Sequence, residues 1–482
     1  MIGEFFDILS QWSRLDTWIV ITGVMAAMAC ALPGCFLLLR RQSMMGDALS
    51  HTSLLGVVVA YLATHLMKEL GWIERGADAW LQHALMFFGA MGIGILAAVM
   101  TESIRQLGRV EASAALGVVF TVLFALGLLL VRLNADEIDL DPGCVLYGSV
   151  ERAFSFTGVP DETVMNAIVW AINAILVIVF FKELRISAFD PGLATSLGIN
   201  ARWIHYGLMA ITAGTVVAAF ESVGVILVIA MLIAPAATAH LLTDRLGRLV
   251  VIAQLVAVIS AVLGHVFAIT LPKIVFSRLG YPQIEDASTA GMMAVVSGVF
   301  FAIAMVFAPR HGLLSRRWQQ IRLGMRIAAE DLLGLLFRLE EHHISGNTRF
   351  ASTVLHDSLG VSRVWTWVAL RGLQFRGDLL ILPDKQYQLT EQGRRIARRL
   401  VRSHRLWESY LQKHFTLPDD HLHHSAERVE HFIGSEVRDA LSRELDSPDM
   451  DPHGKAIPSE ADQAASQRRN DDDFTSRSGE SE

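Results

Sequence analysis

The sequence predicts an all-α polytopic membrane protein of about nine transmembrane helices, followed by a C-terminal cytoplasmic winged helix-turn-helix plus helical domain. Three observations lead there. Of 482 residues, 52% are hydrophobic and only 18% charged, where soluble domains carry about 25% charged residues. The apolar residues concentrate before residue 310 in nine stretches, each near the ~20 residues a spanning helix needs. After Arg310 the composition becomes that of a soluble protein, rich in Arg, Glu, His and Asp, with short helical patterns.

The nine stretches cover 17–39, 45–67, 82–101, 111–132, 163–182, 203–220, 223–242, 248–271 and 288–308. Their flanks give the orientation, because short cytoplasmic loops collect Lys and Arg. Arg40 and Arg41, Arg105 and Arg109, Lys182 with Arg185 and Arg202, Arg245 and Arg248, and Arg310 with Arg316 and Arg317 all fall in alternate loops. This places the N-terminus outside and everything after residue 310 in the cytoplasm, in an inner (plasma) membrane. The external loop 134–162 carries Asp136, Glu137, Asp139 and Asp141, which suits docking or cation capture and equally suits a solvated loop. Met1 to Ser13 lacks the basic start and small-residue cleavage site of a signal peptide. Cys30 and Cys35 lie in the first span and Cys144 stands alone outside, so neither a disulfide framework nor a four-cysteine zinc site is available.

The second span contains the chemistry. Ser43, Asp47, Ser50 and His51 draw a polar stripe along one helix face, since residues i and i+4 are neighbours there. In lipid such a stripe turns toward protein or a cavity, and an ionisable residue within it costs roughly 2.5–3.5 kcal/mol, which marks a transport path. Elsewhere Glu221 sits where two spans nearly abut, His240 reaches a cytoplasmic interface, and His265 in the eighth span reads as a core histidine. These three stand behind Asp47 and His51.

The chain divides into a membrane-spanning region at 1–315, a winged helix-turn-helix at 316–390, a helical region carrying candidate metal ligands at 391–458 and a disordered tail at 459–482. Residues 328–343 read as an amphipathic helix. From Ser352 to Leu382 the pattern is helix, tight turn at Leu359-Gly360-Val361, second helix and strand, with LPDKQYQL as hairpin turn and return strand. Glu391 to Phe415 and His421 to Leu445 give two further helices. Glu427, Glu430 and His431 at i, i+3 and i+4 on one helix point three ligands at one spot, and His404 with Glu408 one turn later offers a second face.

Several stretches of the first region resemble the membrane permeases of ABC transporters for manganese, zinc and iron. The likeness runs from about 17 to 315 and is densest in RRQSMMGDALSHTSLLGV, with ALGVVFTVLFALGLLLV, LDPGCVLYG, FKELRISAFDPGLATSLGIN, SVGVILVIAMLIAPAATAHLLTDRL and FAPRHGLL following in order. It implies divalent metal as substrate, with Asp47 and His51 as transit ligands, oxygen and nitrogen donors suiting manganese, iron and zinc. It also implies three partners: a cytoplasmic ATPase subunit, an extracytoplasmic metal-binding protein and a second permease subunit. No Gly-x-x-x-x-Gly-Lys-Ser/Thr phosphate loop occurs, and Gly454-Lys455 is followed by Ala456, so no nucleotide is expected on this chain. Residues 181–202, with Asp190-Pro191 opening a short amphipathic helix, match the segment that couples such permeases to the ATPase. Leu55 replaces a proline frequent in these relatives.

Residues 328–458 resemble metal-sensing transcriptional regulators of the iron-dependent repressor type, including manganese transport regulators. AEDLLGLLFRLEE, LTEQGRRIARRLVRSHRLWESYL, AERVEHFIGSEV and PHGKAIP carry that resemblance. It assigns Asp331, His404, Glu427, Glu430 and His431 to a cytoplasmic sensor site. Glu427 stands where iron sensors carry sulfur, which favours manganese. Gly334 stands where manganese regulators supply a further carboxylate. The second helix, VSRVWTWVALRGLQFRG, lacks a dense Lys/Arg footprint, so DNA binding is possible but not favoured. The sequence thus reads as an importer permease with a metal sensor, not an enzyme. A membrane-anchored metal-dependent regulator is the alternative, and an ion-gradient carrier, which usually shows inverted repeats, fits less well.

Overall fold

The computed structural model describes residues 10–70, 79–133, 159–278, 283, 286–342, 350–351, 363–382, 386–415, 426–427 and 429–458. It divides into two compact units, Met1–Arg316 and Arg317–Glu482. The acidic loop, Cys144, the first helix and turn of the expected helix-turn-helix, and the tail lie outside the described residues.

The first unit comprises α1 (Arg14–Leu39), α2 (Ser43–Glu69), α3 (Ala79–Gly108), α4 (Ala112–Leu133), α5 (Asp161–Val179), α6 (Phe181–Phe189), α7 (Pro191–Ser196), α8 (Ala201–Leu242), α9 (Leu246–Arg278) and α10 (Thr289–Phe307). Among the described residues, eight helices are long and apolar enough to cross a membrane, and Leu227–Leu242 is a shorter apolar helix. The sixth and seventh stretches are joined into α8, broken only at Gly224 with φ 76° and ψ 163°. An L-residue rarely adopts that backbone, so glycine permits a sharp break without a loop.

α1 and α8 form the centre of this unit, packed against each other more extensively than any other pair. Their approach depends on small residues, as apolar solvent gives no hydrophobic drive between helices. Ala26, Ala27, Cys30 and Ala31 of α1 are fully buried, and a Cβ placed at Gly34 would lie 1.9 Å from the Leu232 carbonyl oxygen. Gly34→Val therefore forces these backbones apart, and the yield of folded, monodisperse protein on size-exclusion chromatography is expected to collapse. Polar pins lock neighbouring helices to this pair. The Asn173 side-chain amide donates to Thr215 Oγ1 at 2.7 Å and to the Ala29 carbonyl at 3.3 Å. Trp170 Nε1 donates to Gln254 Oε1 at 3.1 Å, and Gln254 Nε2 to the Met28 carbonyl at 3.1 Å.

Asp190-Pro191 opens the short helix α7, as its sequence predicts; α6 precedes it, and Asp190 separates the two in extended geometry (φ −145°, ψ 96°), its carboxylate accepting the Gly192 and Leu193 N–H groups at 2.9 and 3.0 Å. Pro191 at the first turn has no N–H to offer the preceding helix, so the chain stops and restarts there. Arg40 Nη2 donates to Ser187 Oγ at 2.5 Å, tying the α1–α2 turn to α6.

The second unit contains α11 (Leu313–His342), which begins in the first unit, β1 (Phe350–Ala351), α12 (Arg363–Phe375), β2 (Leu379–Ile381), β3 (Gln386–Leu389), α13 (Glu391–His414), a 3₁₀ turn at Glu430–Phe432 and α14 (Ser435–Glu444). α11 starts fifteen residues before the expected helix at 328, because 313–327 contains no proline and many good helix formers. The sheet is antiparallel with order β1-β3-β2, pairing Leu379 with Leu389 and Phe350 with Tyr387. Leu332, Leu333 and Leu336 of α11, Leu370 and Leu373 of α12, and Val401 of α13 form the core against this sheet. Each such side chain contributes roughly 1.5–3 kcal/mol by leaving water. A second cluster, Leu406, Leu441 and Ile457, packs α14 and the following segment on α13.

Candidate metal sites

In α2 the Asp47 and His51 side chains come together, His51 Nε2 lying 3.5 Å from Asp47 Oδ1. The Ser50 hydroxyl turns back to the Asp47 carbonyl at 2.6 Å, so it caps the backbone and leaves the carboxylate to other partners. The His51 ring rests on Phe120 and Phe124 of α4, with centroids 5.5 and 5.3 Å away. The two side chains remain 43% and 27% exposed within this chain, although Ala48, Leu49 and Ser50 between them are buried. One carboxylate and one imidazole, set on an apolar wall and open on one side, can supply two ligands to a divalent ion and leave the rest to other groups.

His265 is 2% exposed and satisfied, with Nδ1 3.1 Å from Thr289 Oγ1 and Nε2 3.3 Å from Asp16 Oδ1. It joins three helices and contacts Trp12 edge-on. His240 is exposed and stacks on His311. The Glu221 side chain lies outside the described residues.

The second unit brings Asp331, Glu430 and His431 together, their ligand atoms all within 4.8 Å of one another. His404 joins them through Nδ1 at 2.5 Å from Glu430 Oε2, and its Nε2 lies 3.1 Å from Glu408 Oε1. Glu427 does not join the three: it is exposed. The expected single helix over 421–445 is interrupted, since the chain passes into 3₁₀ geometry at Glu430 and restarts as α14 at Ser435. Glu427 lies in the helical residues before that turn, and its side chain is on the exposed side there.

Three residues that the sequence did not single out lie in or beside this cluster: Glu330, Asp451 and His453. Glu330 accepts from His431 Nδ1 at 2.8 Å, while Asp331 Oδ1 lies 3.0 Å from His431 Nε2. His453 Nδ1 lies 3.7 Å from Glu408 Oε2, and Glu408, Asp451 and His453 form a second compact grouping. The signal for Glu330 was its place beside Asp331; that for His453 was the PHGKAIP segment. Asp451 Oδ1 is engaged by the His453 and Lys455 N–H groups, which makes it a turn cap.

The electrostatics follow from these contacts. Both nitrogens of His431 face carboxylates, and an ionised carboxylate only accepts, so the ring carries two protons. Burial would lower its pKa, but the bonds to Asp331 and Glu330 outweigh this and hold it up to about 9. His404 behaves alike: burial lowers it, while Glu408 and Glu430 more than compensate, and its pKa is raised. Burial raises Glu330, yet His431 and Arg326 leave it below the usual carboxylate range. Arg338 Nη2 stands 3.9 Å from Glu430 Oε2.

This donor set of carboxylates and imidazoles, free of sulfur, fits a hard divalent ion such as manganese; Asp331, His404, Glu430 and His431 would hold it, and the ion would supply positive charge that the protons now provide. At Gly334 an added Cβ meets a Leu400 methyl at 3.2 Å and lies 3.9 Å from Arg338 Nη2. A carboxylate there fits with a small shift of flexible side chains. Gly334→Glu is expected to tighten manganese binding by about tenfold through added ligand charge, read by titration of purified protein.

A bundle of apolar helices with a half-exposed aspartate–histidine pair on one of them, followed by a unit that clusters carboxylates and imidazoles, is the arrangement of a membrane transport subunit with an attached metal-binding domain. The ABC 3 transport family model matches residues 15–308, and the chain belongs to that family. The iron dependent repressor, metal binding and dimerisation domain matches residues 390–459. The chain is 37% identical to the manganese transport system membrane protein MntD of Bacillus subtilis over 315 residues, 64% of this chain and 97% of that one. It is 34% identical to the zinc transport system membrane protein TroD of Treponema pallidum over 388 residues, 78% of this chain and 96% of that one. The solved structure of PsaBC from Streptococcus pneumoniae in complex with Fab superposes with TM-score 0.51 at 28% identity, covering 66% of this chain and all of that one.

Proposed function

We propose that this permease imports divalent metal into the cytoplasm, manganese first and zinc or iron next, with Asp47 and His51 holding the ion in transit. The observation that carries the reading is the half-exposed Asp47–His51 pair, 3.5 Å apart on α2 and set against Phe120 and Phe124. The relatives named for manganese and zinc transport support the substrate class. Two protein ligands fall short of the six or so oxygen and nitrogen donors such an ion takes, so a second permease subunit, identical or related, completes the path. A separate cytoplasmic ATPase supplies energy at α6–α7, and an extracytoplasmic binding protein delivers the metal. The N-terminus lies outside and Arg317–Glu482 inside.

In this reading the second unit senses cytoplasmic metal through Asp331, His404, Glu430 and His431, with manganese as the resident ion, and restrains transport as metal accumulates. A membrane-anchored transcription factor is the rival, and it requires sequence-specific, steeply salt-dependent DNA binding.

The test is uptake of radiolabelled manganese in cells carrying the chain, its ATPase and its binding protein, with zinc and ferrous iron as competitors. Uptake should require the ATPase and be competed most strongly by unlabelled manganese. Deletion of 320–482 should leave initial uptake active but less inhibited by accumulated metal. No transport of any of the three metals would sink the importer reading.

A further inference from the structure

The membrane-proximal half of α11 and the whole of α12 are unusual in charge. Residues 313–329, LLSRRWQQIRLGMRIAA, hold four arginines and no carboxylate, and residues 363–377, RVWTWVALRGLQFRG, hold three arginines and none. This occurs in a chain of formal net charge −7.

The same surface is apolar. On α12, Ala369, Leu370 and Leu373 point into the core, while Val364, Trp367, Val368 and Phe375 are 70%, 57%, 36% and 95% exposed. With Arg371 they stand at i, i+3, i+4, i+7 and i+11, one outward stripe of the helix. The Arg371 guanidinium lies 5.8 Å from the centre of the Trp367 ring. A groove of about 360 Å³ joins this stripe to α11, lined by Trp318, Arg322 and Met325 on one side and Val368, Gly372 and Arg376 on the other. Trp318 is 66% exposed and Ile321 43%. Helix stripe and groove are therefore one basic, aromatic face.

Such a face is unsuited to reading DNA. Base edges in the major groove are recognised by hydrogen-bonding side chains such as Arg, Asn and Gln, whereas four of the five stripe positions here are Val, Trp, Val and Phe. Pairing with a second copy through this face would oppose arginine to arginine. Aromatic and aliphatic side chains rimmed by arginine instead match the headgroup region of an anionic bilayer, where rings sit at the interface and cations meet lipid phosphates. Chain connectivity permits it: eleven residues separate Phe307, the end of the last span, from Trp318, a reach of at most about 40 Å.

We propose that the α11–α12 face docks on the anionic cytoplasmic leaflet, with Val364, Trp367, Val368 and Phe375 at the headgroup–acyl boundary and Arg322, Arg371 and Arg376 on lipid phosphates. The proposal rests on the reading that residues after 310 lie in the cytoplasm.

The test uses the full chain in nanodiscs, with Cys144 replaced by Ser and a bimane fluorophore on Phe375→Cys or, as control, on Met450→Cys, also exposed on the second unit. Quenching by lipids spin-labelled near the headgroup should be at least about threefold stronger at 375 in phosphatidylglycerol discs than in phosphatidylcholine discs, and unchanged at 450. Arg371→Gln with Arg376→Gln should shift the docked-to-free ratio by on the order of 30-fold, bringing the 375 signal to the control level. Equal quenching at both positions in both lipids overturns the proposal. So does protection of position 375 that appears only with added duplex DNA, or only when two copies share a disc. Reaction of Phe375→Cys with an impermeant reagent outside whole cells would overturn the orientation beneath it, a result separable from quenching.

Discussion

Asp47→Asn and His51→Gln each reduce manganese uptake by about two orders of magnitude or more while leaving the amount of chain in the membrane unchanged. Loss of groups that merely support a metal ligand costs 10–100-fold, and these side chains are proposed as the ligands themselves. Both substitutions nearly keep side-chain volume and keep hydrogen-bonding capacity; His51→Gln gives up the ring contacts with Phe120 and Phe124, which is why the amount of chain in the membrane is measured alongside uptake. Asn lacks the anionic oxygen; Gln lacks the imidazole nitrogen. Ser50→Ala is the contrasting variant, because its hydroxyl is engaged by the Asp47 carbonyl, and its uptake should remain within a few-fold of wild type. Normal uptake in both Asp47→Asn and His51→Gln would retire the pair as ligands and leave them as a polar pin between helices.

Much of the fold was legible because lipid leaves so few options. A spanning segment must satisfy its backbone internally, so every long apolar run became a helix, with boundaries off by a few residues. What hydropathy could not reveal was the continuity of α8: Gly224 sits in an unbroken apolar run, and only its backbone, φ 76°, discloses a break without a loop. The Asp47–His51 pair was legible because i and i+4 on one helix must meet. The carboxylate–imidazole cluster of the second unit was legible only in part. Glu430 and His431 are sequence neighbours, but Glu330 reaches His431 from α11 and His404 reaches Glu430 from α13 through tertiary packing that no spacing rule encodes. Glu427 is exposed on the helical residues before the 3₁₀ turn at Glu430 and lies outside the grouping of Asp331, Glu430 and His431.

The same cluster gives a pH dependence whose sign is fixed by its protons. His431 is held up to about 9, above its ordinary 6.5, so its protonated form stabilises the metal-free unit. That stabilisation is fully present below about pH 6.5 and is lost as pH rises through about 9, amounting to about 2 kcal/mol when discounted for solvent. Manganese binding needs the neutral imidazole, so it must expel this proton, and the raised His404 adds a second. Apparent affinity should therefore rise by at least about 100-fold between pH 6.5 and 8.5, the His431 proton alone giving that much, with proton release measurable as a buffer-dependent heat. Full-length protein carrying both Asp47→Ala and His51→Ala isolates this site from the transit site. Glu330→Gln removes a carboxylate that holds the His431 proton at 2.8 Å and should move the affinity rise toward lower pH. Flat affinity across that range, with no heat difference between buffers, would mean that the carboxylates bind manganese without His431 and His404, and the sensor would then be an acidic site rather than a proton-gated one.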